Sequence, residues 1–329
     1  MRHSFAVLVA LLCAFSASAG VVKRSGQTVP VTDQFDAAQS AALFVGVREF
    51  PYDDTLAPVR YGVDDAIDLA FAVSRGEMVQ LVEPSRVILA LSGEPQKKES
   101  ANRLHLLVAA GATVKSAGHS DILTLLRKQA RSVGRGGALI VSFSTHGISD
   151  GGTQFLLTAS SMLEDHETMI TENKVRDIIS ESRVQRSVLL LDACRQRLRA
   201  GTREGQADKE SAAAMRRALG ASVGHVVLAA AAAGQYAYDD DARQNGVFTA
   251  AVLEGLHCGA ATNENGFVTA GKLGAYVEDH VLEWIRKHRD PSARKATQLT
   301  CEGMTSEMPL AVCRVKRRDT AQAVVPHPR

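Results

Sequence analysis

Short apolar runs recur along the chain: AALFVGV (41–47), RVILAL (86–91), ALIVSFS (138–144), SVLLLD (187–192), HVVLAAA (225–231) and MPLAV (308–312). Each is bounded by polar or glycine-rich sequence and none alternates with polar residues, the pattern of strands buried on both faces. Between them, VDDAIDLAFAVSRG (63–76), HSDILTLLRKQARSV (119–133), ENKVRDIISES (172–182) and AGKLGAYVEDHVLEWIRKH (270–288) repeat apolar residues at three- and four-residue spacing. That spacing predicts amphipathic helices. Strands alternating with helices predict a three-layer α/β/α sandwich around a mostly parallel six-stranded sheet.

The two ends lie outside this pattern. Arg2, the apolar run Phe5 to Phe15 and the small residues Ala17-Ser18-Ala19 before Gly20 have the layout of a secretory signal peptide over 1–19. Leu12 is too bulky for a lipobox leading into Cys13, and no other run is long and apolar enough to cross a bilayer. The expectation is a secreted or periplasmic protein with no membrane contact once the leader is removed. Residues 20–40 are polar and mixed, a linker, and 314–329 carry proline and charge without apolar period, a disordered basic tail. Leader removal leaves Cys194, Cys258, Cys301 and Cys313, and an oxidising compartment favours pairing among them. Which of them pair stays open.

The 329 residues are 45% hydrophobic and 22% charged, enough for one large or two modest domains. A net charge of +2 excludes the polycationic face that nucleic acid selects, and aromatics do not interleave with basic runs. Proteins or peptides are the expected partners.

In parallel α/β sheets, sites gather at the carboxyl ends of strands. ALIVSFS runs into Thr145, His146 and Gly147, and SVLLL runs into Asp192, Ala193 and Cys194. If these strands are neighbours, His146 and Cys194 face each other across one sheet edge. His105, His280 and His288 fall within helical patterns instead. A thiol beside an imidazole can give up its proton and attack an acyl carbon. The N–H groups of Gly147 and Cys194 could hold the resulting oxyanion. Taken singly, a strand-end cysteine is often a small buried hydrophobe and a lone histidine a satisfied core residue. Two ligands without further cysteine or histidine partners make no zinc site, and no cofactor is expected.

SFSTHG (142–147) followed by LDACR (191–195), with 48 residues from His146 to Cys194, resembles the caspase, metacaspase and bacterial caspase-like cysteine peptidases. GVDDA (62–66) and NGVFTAAVLEGL (245–256) extend the resemblance over about 41–313. It implies a caspase-like fold with a large-subunit-like part (41–194), an arginine-rich linker loop (195–217) and a small-subunit-like part (218–313). It further implies His146 as base, Cys194 as nucleophile, and Gly147 and Cys194 N–H groups as the oxyanion hole. Thr145 stands where the family usually has glycine, and its branched side chain could narrow the site. Asp192 stands where caspases that cut after Asp have Gln, as in metacaspases, which cut after Arg or Lys. Asp65 matches a second specificity carboxylate, with Asp64 as the alternative register, and Asp65 also suits a helix N-terminus. Arg60 lies near where caspases bind an acidic P1 residue, but Asp192 would repel such a substrate.

The reading is an endopeptidase cutting after Arg or Lys, with Asp192 and Asp65 as S1 carboxylates. Self-processing after Arg216 or Arg217 in the basic loop is possible on this reading. So is calcium activation through YDDD (238–241), although adjacent acids lack the alternation of a calcium loop. Alternatives on the same fold are a catalytically inactive binding or scaffold protein and another Cys–His acyl transferase or amidase.

Overall fold

Seven consecutive residues, Ala41–Val47, form a strand buried along its whole length. Its side chains alternate. Ala42 and Phe44 enter one apolar cluster, and Ala41, Leu43, Val45 and Val47 enter another on the opposite face. Period-two geometry applied to an all-apolar run yields these two cores. The computed structural model describes residues 21–24, 27–30, 36–76, 80–193, 196–197, 224–230, 237–262, 267–289 and 308–312. The expected leader, Cys194, Arg216, Arg217, Cys301, Cys313 and the tail 314–329 lie outside the described residues.

Within the expected linker, β1 (Val21–Arg24) and β2 (Gln27–Pro30) pair as an antiparallel hairpin. There follow β3 (Ala41–Val47), α1 (Gly62–Arg75), β4 (Val87–Ser92), α2 (Lys98–Ala109), β5 (Thr113–Ser116), α3 (His119–Ser132) and β6 (Leu139–Thr145). A small side sheet begins with β7 (Gly147–Asp150), β8 (Thr153–Leu156) and β9 (Ile170–Thr171), before α4 (Glu172–Glu181) and β10 (Ser187–Ala193). Beyond these lie β11 (Gln196–Arg197), β12 (His225–Ala229), the ribbon β13 (Asp239–Asp240) and β14 (Asn245–Gly246), and α5 (Val247–Glu254). The last elements are β15 (Phe267–Thr269), α6 (Ala270–His288) and β16 (Pro309–Val312).

The central sheet has the order β12-β10-β6-β3-β4-β5, and every pairing in it is parallel. α1, α5 and α6 contribute to the apolar cluster on one face, α3 and α4 to that on the other. The chain is thus an α/β sandwich around a six-stranded parallel sheet, as the sequence pattern predicts. One edge differs from the sequence pattern. The run at 308–312 does not join this sheet. β16 instead pairs antiparallel with β15. The sixth place belongs to β5, whose four residues TVKS are all exposed. An edge strand with solvated side chains has no apolar run by which to be read.

Two features of this frame serve the site. A side chain on Gly46 would meet the Gly62 carbonyl oxygen at 2.6 Å and Ala66 Cβ at 2.8 Å, so glycine here lets α1 lie close on β3. Cys258 follows α5 in the turn Gly255–Gly259, with a left-handed φ of 68°. It is disulfide-bonded to a cysteine outside the described residues.

Candidate active site

Strands β6 and β10 run side by side, with Asp192 opposite Ser144 and Ala193 opposite Thr145. Their carboxyl ends therefore meet, as the sequence reading required. The offset between paired residues is 48 along this whole ladder. It is again 48 where β11 pairs with β7, Gln196 opposite Ile148 and Arg197 opposite Ser149. The chain on either side of Cys194 is in register with the chain on either side of His146.

His146 is half-buried at the end of β6. Its Nε2 lies 2.7 Å from the Ala57 carbonyl oxygen. A carbonyl only accepts, so Nε2 carries the proton and the neutral ring keeps Nδ1 as its free basic nitrogen. Phe50 stacks on the ring with centroids 5.3 Å apart. Burial pushes the imidazole below its usual range, opposed by the Ala57 hydrogen bond and the charge of Asp239. A neutral ring can accept a thiol proton.

The Thr145 side chain is buried, and its hydroxyl donates to the Leu157 carbonyl at 2.8 Å. Gly147, buried, opens β7 opposite Leu156.

The two acids singled out in the sequence come together around Gly246. A side chain there would lie 2.3 Å from Asp192 Oδ2 and 3.1 Å from Asp65 Oδ2. Asp65 accepts on both oxygens from Gly246 N–H, on Oδ1 from Asn245 Nδ2 at 2.9 Å, and on Oδ2 from Ser144 Oγ at 2.8 Å. Both oxygens of Asp65 are thus turned to protein donors. Asp192 accepts on Oδ2 from the Thr249 hydroxyl at 2.8 Å and the Thr249 N–H at 3.2 Å. Among the described residues no donor meets its Oδ1. Burial pushes Asp192 up to about 7, with Thr249 opposing, and burial raises Asp65 well above its ordinary value too, helped by the charge of Asp192.

The neighbouring acids separate by role. Asp64 accepts from the N–H groups of Gln96 and Lys97 at 3.0 and 2.9 Å, holding the approach to α2. Of the two, Asp65 is the one that lies beside Gly246 together with Asp192. Asp68 is buried against Lys97, Ser100, Arg103 and Asn245. Asp240 accepts from Ala242 and Arg243, and Asp241 from Arg60 at 2.5 Å and Tyr61 Oη at 2.9 Å. Asp239 stands opposite Gly246 in the ribbon and is exposed. Asp240 and Asp241 thus address different partners.

The family model described as "Caspase domain" matches residues 39–308. The chain belongs to the caspase domain family. No curated protein matches it. Among solved structures, protein GSU0716 from Geobacter sulfurreducens is similar, at 14% identity and a TM-score of 0.48, over 83% of this chain and 98% of that one. His146, Asp192 and the 48-residue spacing were legible in the sequence. Their partners were not: Ala57 and Phe50 at the imidazole, and Ser144, Asn245, Gly246 and Thr249 at the acids. Four of these lie within SFSTHG and NGVFTAAVLEGL, so the only available signal was their place in those segments. Ala57 acts through its backbone and leaves no trace in the sequence.

Proposed function

We propose that this caspase-domain protein is a cysteine endopeptidase that cleaves peptide bonds after Arg or Lys. The observation that supports the reading is that strand pairing has the same 48-residue offset before and after the two residues, at Ala193–Thr145 and at Gln196–Ile148, as the sequence has between Cys194 and His146. In this reading, the Cys194 thiol gives its proton to Nδ1 of His146, and the thiolate attacks the substrate carbonyl carbon. The N–H groups of Gly147 and Cys194 receive the oxyanion. His146 then protonates the leaving amine as the C–N bond breaks, leaving a thioester. Water, deprotonated by the same nitrogen, attacks the thioester carbon, and the thiol departs with the carboxylic product.

The basic side chain before the cut would bind Asp192 through its free Oδ1, with Asp65 holding the wall behind it. An uncompensated buried carboxylate is costly, and a substrate cation relieves that cost. Export to an oxidising compartment is supported by the leader sequence and by the disulfide at Cys258. Self-processing after Arg216 or Arg217 belongs to the same reading.

The test is turnover of fluorogenic peptides ending in Arg, Lys, Asp or Ala by the purified mature chain, with Cys194→Ala as control. Cleavage after Arg or Lys that disappears in the control supports the reading. Cleavage after Asp would retain the dyad and overturn the role given to Asp192. Silence on all peptides, with thiol labelling also absent, favours a non-catalytic binding protein. Intact mass after incubation reports self-processing, and an unbroken chain counts against it.

A further inference from the structure

The group that fixes the tautomer of His146 is a backbone carbonyl on an exposed loop, and what holds that loop is therefore part of how the base works. Residues 50–60 leave β3 and return to α1. The base of the loop is closed by Val59 N–H donating to the Arg48 carbonyl at 3.0 Å. Leu56 and Val59, on either side of Ala57–Pro58, pack against the apolar cluster beneath. Pro58 restricts Ala57 to extended backbone. None of these contacts ties the first half of the loop to the wall across from it.

Asp53 does. Its Oδ2 accepts from the Leu163 N–H at 2.7 Å, reaching the segment beyond β8. Its Oδ1 accepts from the Thr55 N–H at 3.0 Å and from the Thr55 hydroxyl. One carboxylate thus braces the turn 53–56 and anchors it to a separate stretch of chain. The other end of the loop has Arg60 paired with Asp241, but both side chains are more than half exposed. Such pairs contribute little.

We propose that Asp53 is a positioning residue for His146, holding the 50–60 loop so that the Ala57 carbonyl meets Nε2. The proposal rests on His146 serving as the base. If the carbonyl drifts, the neutral ring no longer has a reason to keep its proton on Nε2. The Nδ1–H tautomer, useless as a base at that nitrogen, then becomes populated. The Leu163 N–H is also the largest influence holding the Asp53 carboxyl below its ordinary range, so the brace stays charged wherever the enzyme would act.

The experiment is an NMR titration of the His146 ring, assigned with His146→Gln, in wild type, Asp53→Ala, Asp53→Asn and Asp54→Ala. Losing the Ala57 bond removes an interaction that favours the protonated ring, while burial and the Asp239 charge stay in place. Asp53→Ala is expected to titrate at lower pH, Asp53→Asn between it and wild type, and Asp54→Ala with wild type. With a cleaved peptide, kcat should fall roughly 10- to 100-fold in Asp53→Ala while KM stays close to wild type. If Asp53→Ala does not fold, Asp53→Asn carries the test. A folded Asp53 variant with the wild-type titration and kcat would overturn the proposal. A shifted titration in a protein that cleaves no peptide would uphold the brace and remove the peptidase reading. An active enzyme whose His146 titration ignores Asp53 would do the reverse.

Discussion

Asp65 and Asp192 converge on Gly246, a residue whose missing side chain is the condition for their meeting. Asp65 belongs to α1 and Asp192 to the end of β10, and the Gly246 N–H donates to Asp65. Asp65 accepts from Ser144, Asn245 and Gly246, and Asp192 from Thr249.

Gly246→Ala would place a methyl group 2.3 Å from Asp192 Oδ2. The acid must turn away or the ribbon must move. A loss of about 1–3 kcal/mol in urea unfolding is expected, as for an overpacked interior, with a larger fractional loss of cleavage after Arg than of general thiol reactivity. Equal losses of both would remove Asp192 from substrate selection.

Asp192 titrates near 7 in the folded chain, from an ordinary value of 3.8. Because the folded state holds that proton more tightly than the unfolded state, the group's contribution to stability falls as pH rises between these values and is level above the upper one. Asp192→Asn keeps the shape and the Thr249 acceptor without the charge. It should gain stability relative to wild type as pH rises through that window. Its cleavage after Arg should match wild type at low pH and fall behind it as pH climbs through about 7, where the wild-type KM for an Arg peptide should fall. A wild-type KM that is flat with pH would count against a titrating S1 acid.

Thr249→Val removes the hydroxyl that donates to Asp192 at 2.8 Å and leaves the weaker N–H at 3.2 Å. Thr249 is fully buried. The expected cost is about 1–3 kcal/mol in chemical unfolding. Thr249 lowers the Asp192 titration, so the pH dependence of the Arg-peptide KM should move to higher pH. An unmoved profile would mean that the hydroxyl serves packing alone.

Reductant is expected to act in two directions. It keeps a catalytic thiol free, and it opens the disulfide at Cys258. Cys258→Ser should lower the thermal midpoint, consistent with about 2–4 kcal/mol for a lost disulfide, and the variant's melt should then ignore reductant. A wild-type melt already indifferent to reductant would show that the bond adds no stability.

Much of the frame was legible because burial on both faces writes itself as continuous apolar sequence, as in AALFVGV and SVLLLD. The exposed edge strand TVKS could not be read in this way, and MPLAV was apolar for a different partner, β15. Near the site, His146 and Asp192 announced themselves by standing at strand ends. Asp64 and Asp65 were adjacent and could not be told apart until α1 was seated on β3 and only Asp65 turned toward Ser144.

By itself, the sequence determined the alternation of buried strands and amphipathic helices, the two strand ends that carry chemistry, and the 48-residue spacing between them. Those follow from local periodicity, because a side chain's face is set by its place in its own helix or strand. Tertiary structure alone decided that β6 and β10 pair at an offset of 48, that Gly246 seats between two acids, and that the carbonyl of Ala57 meets a histidine 89 residues away. These contacts join residues far apart in the chain, through backbone groups or absent side chains, and no local pattern can encode a partner that only packing brings within reach.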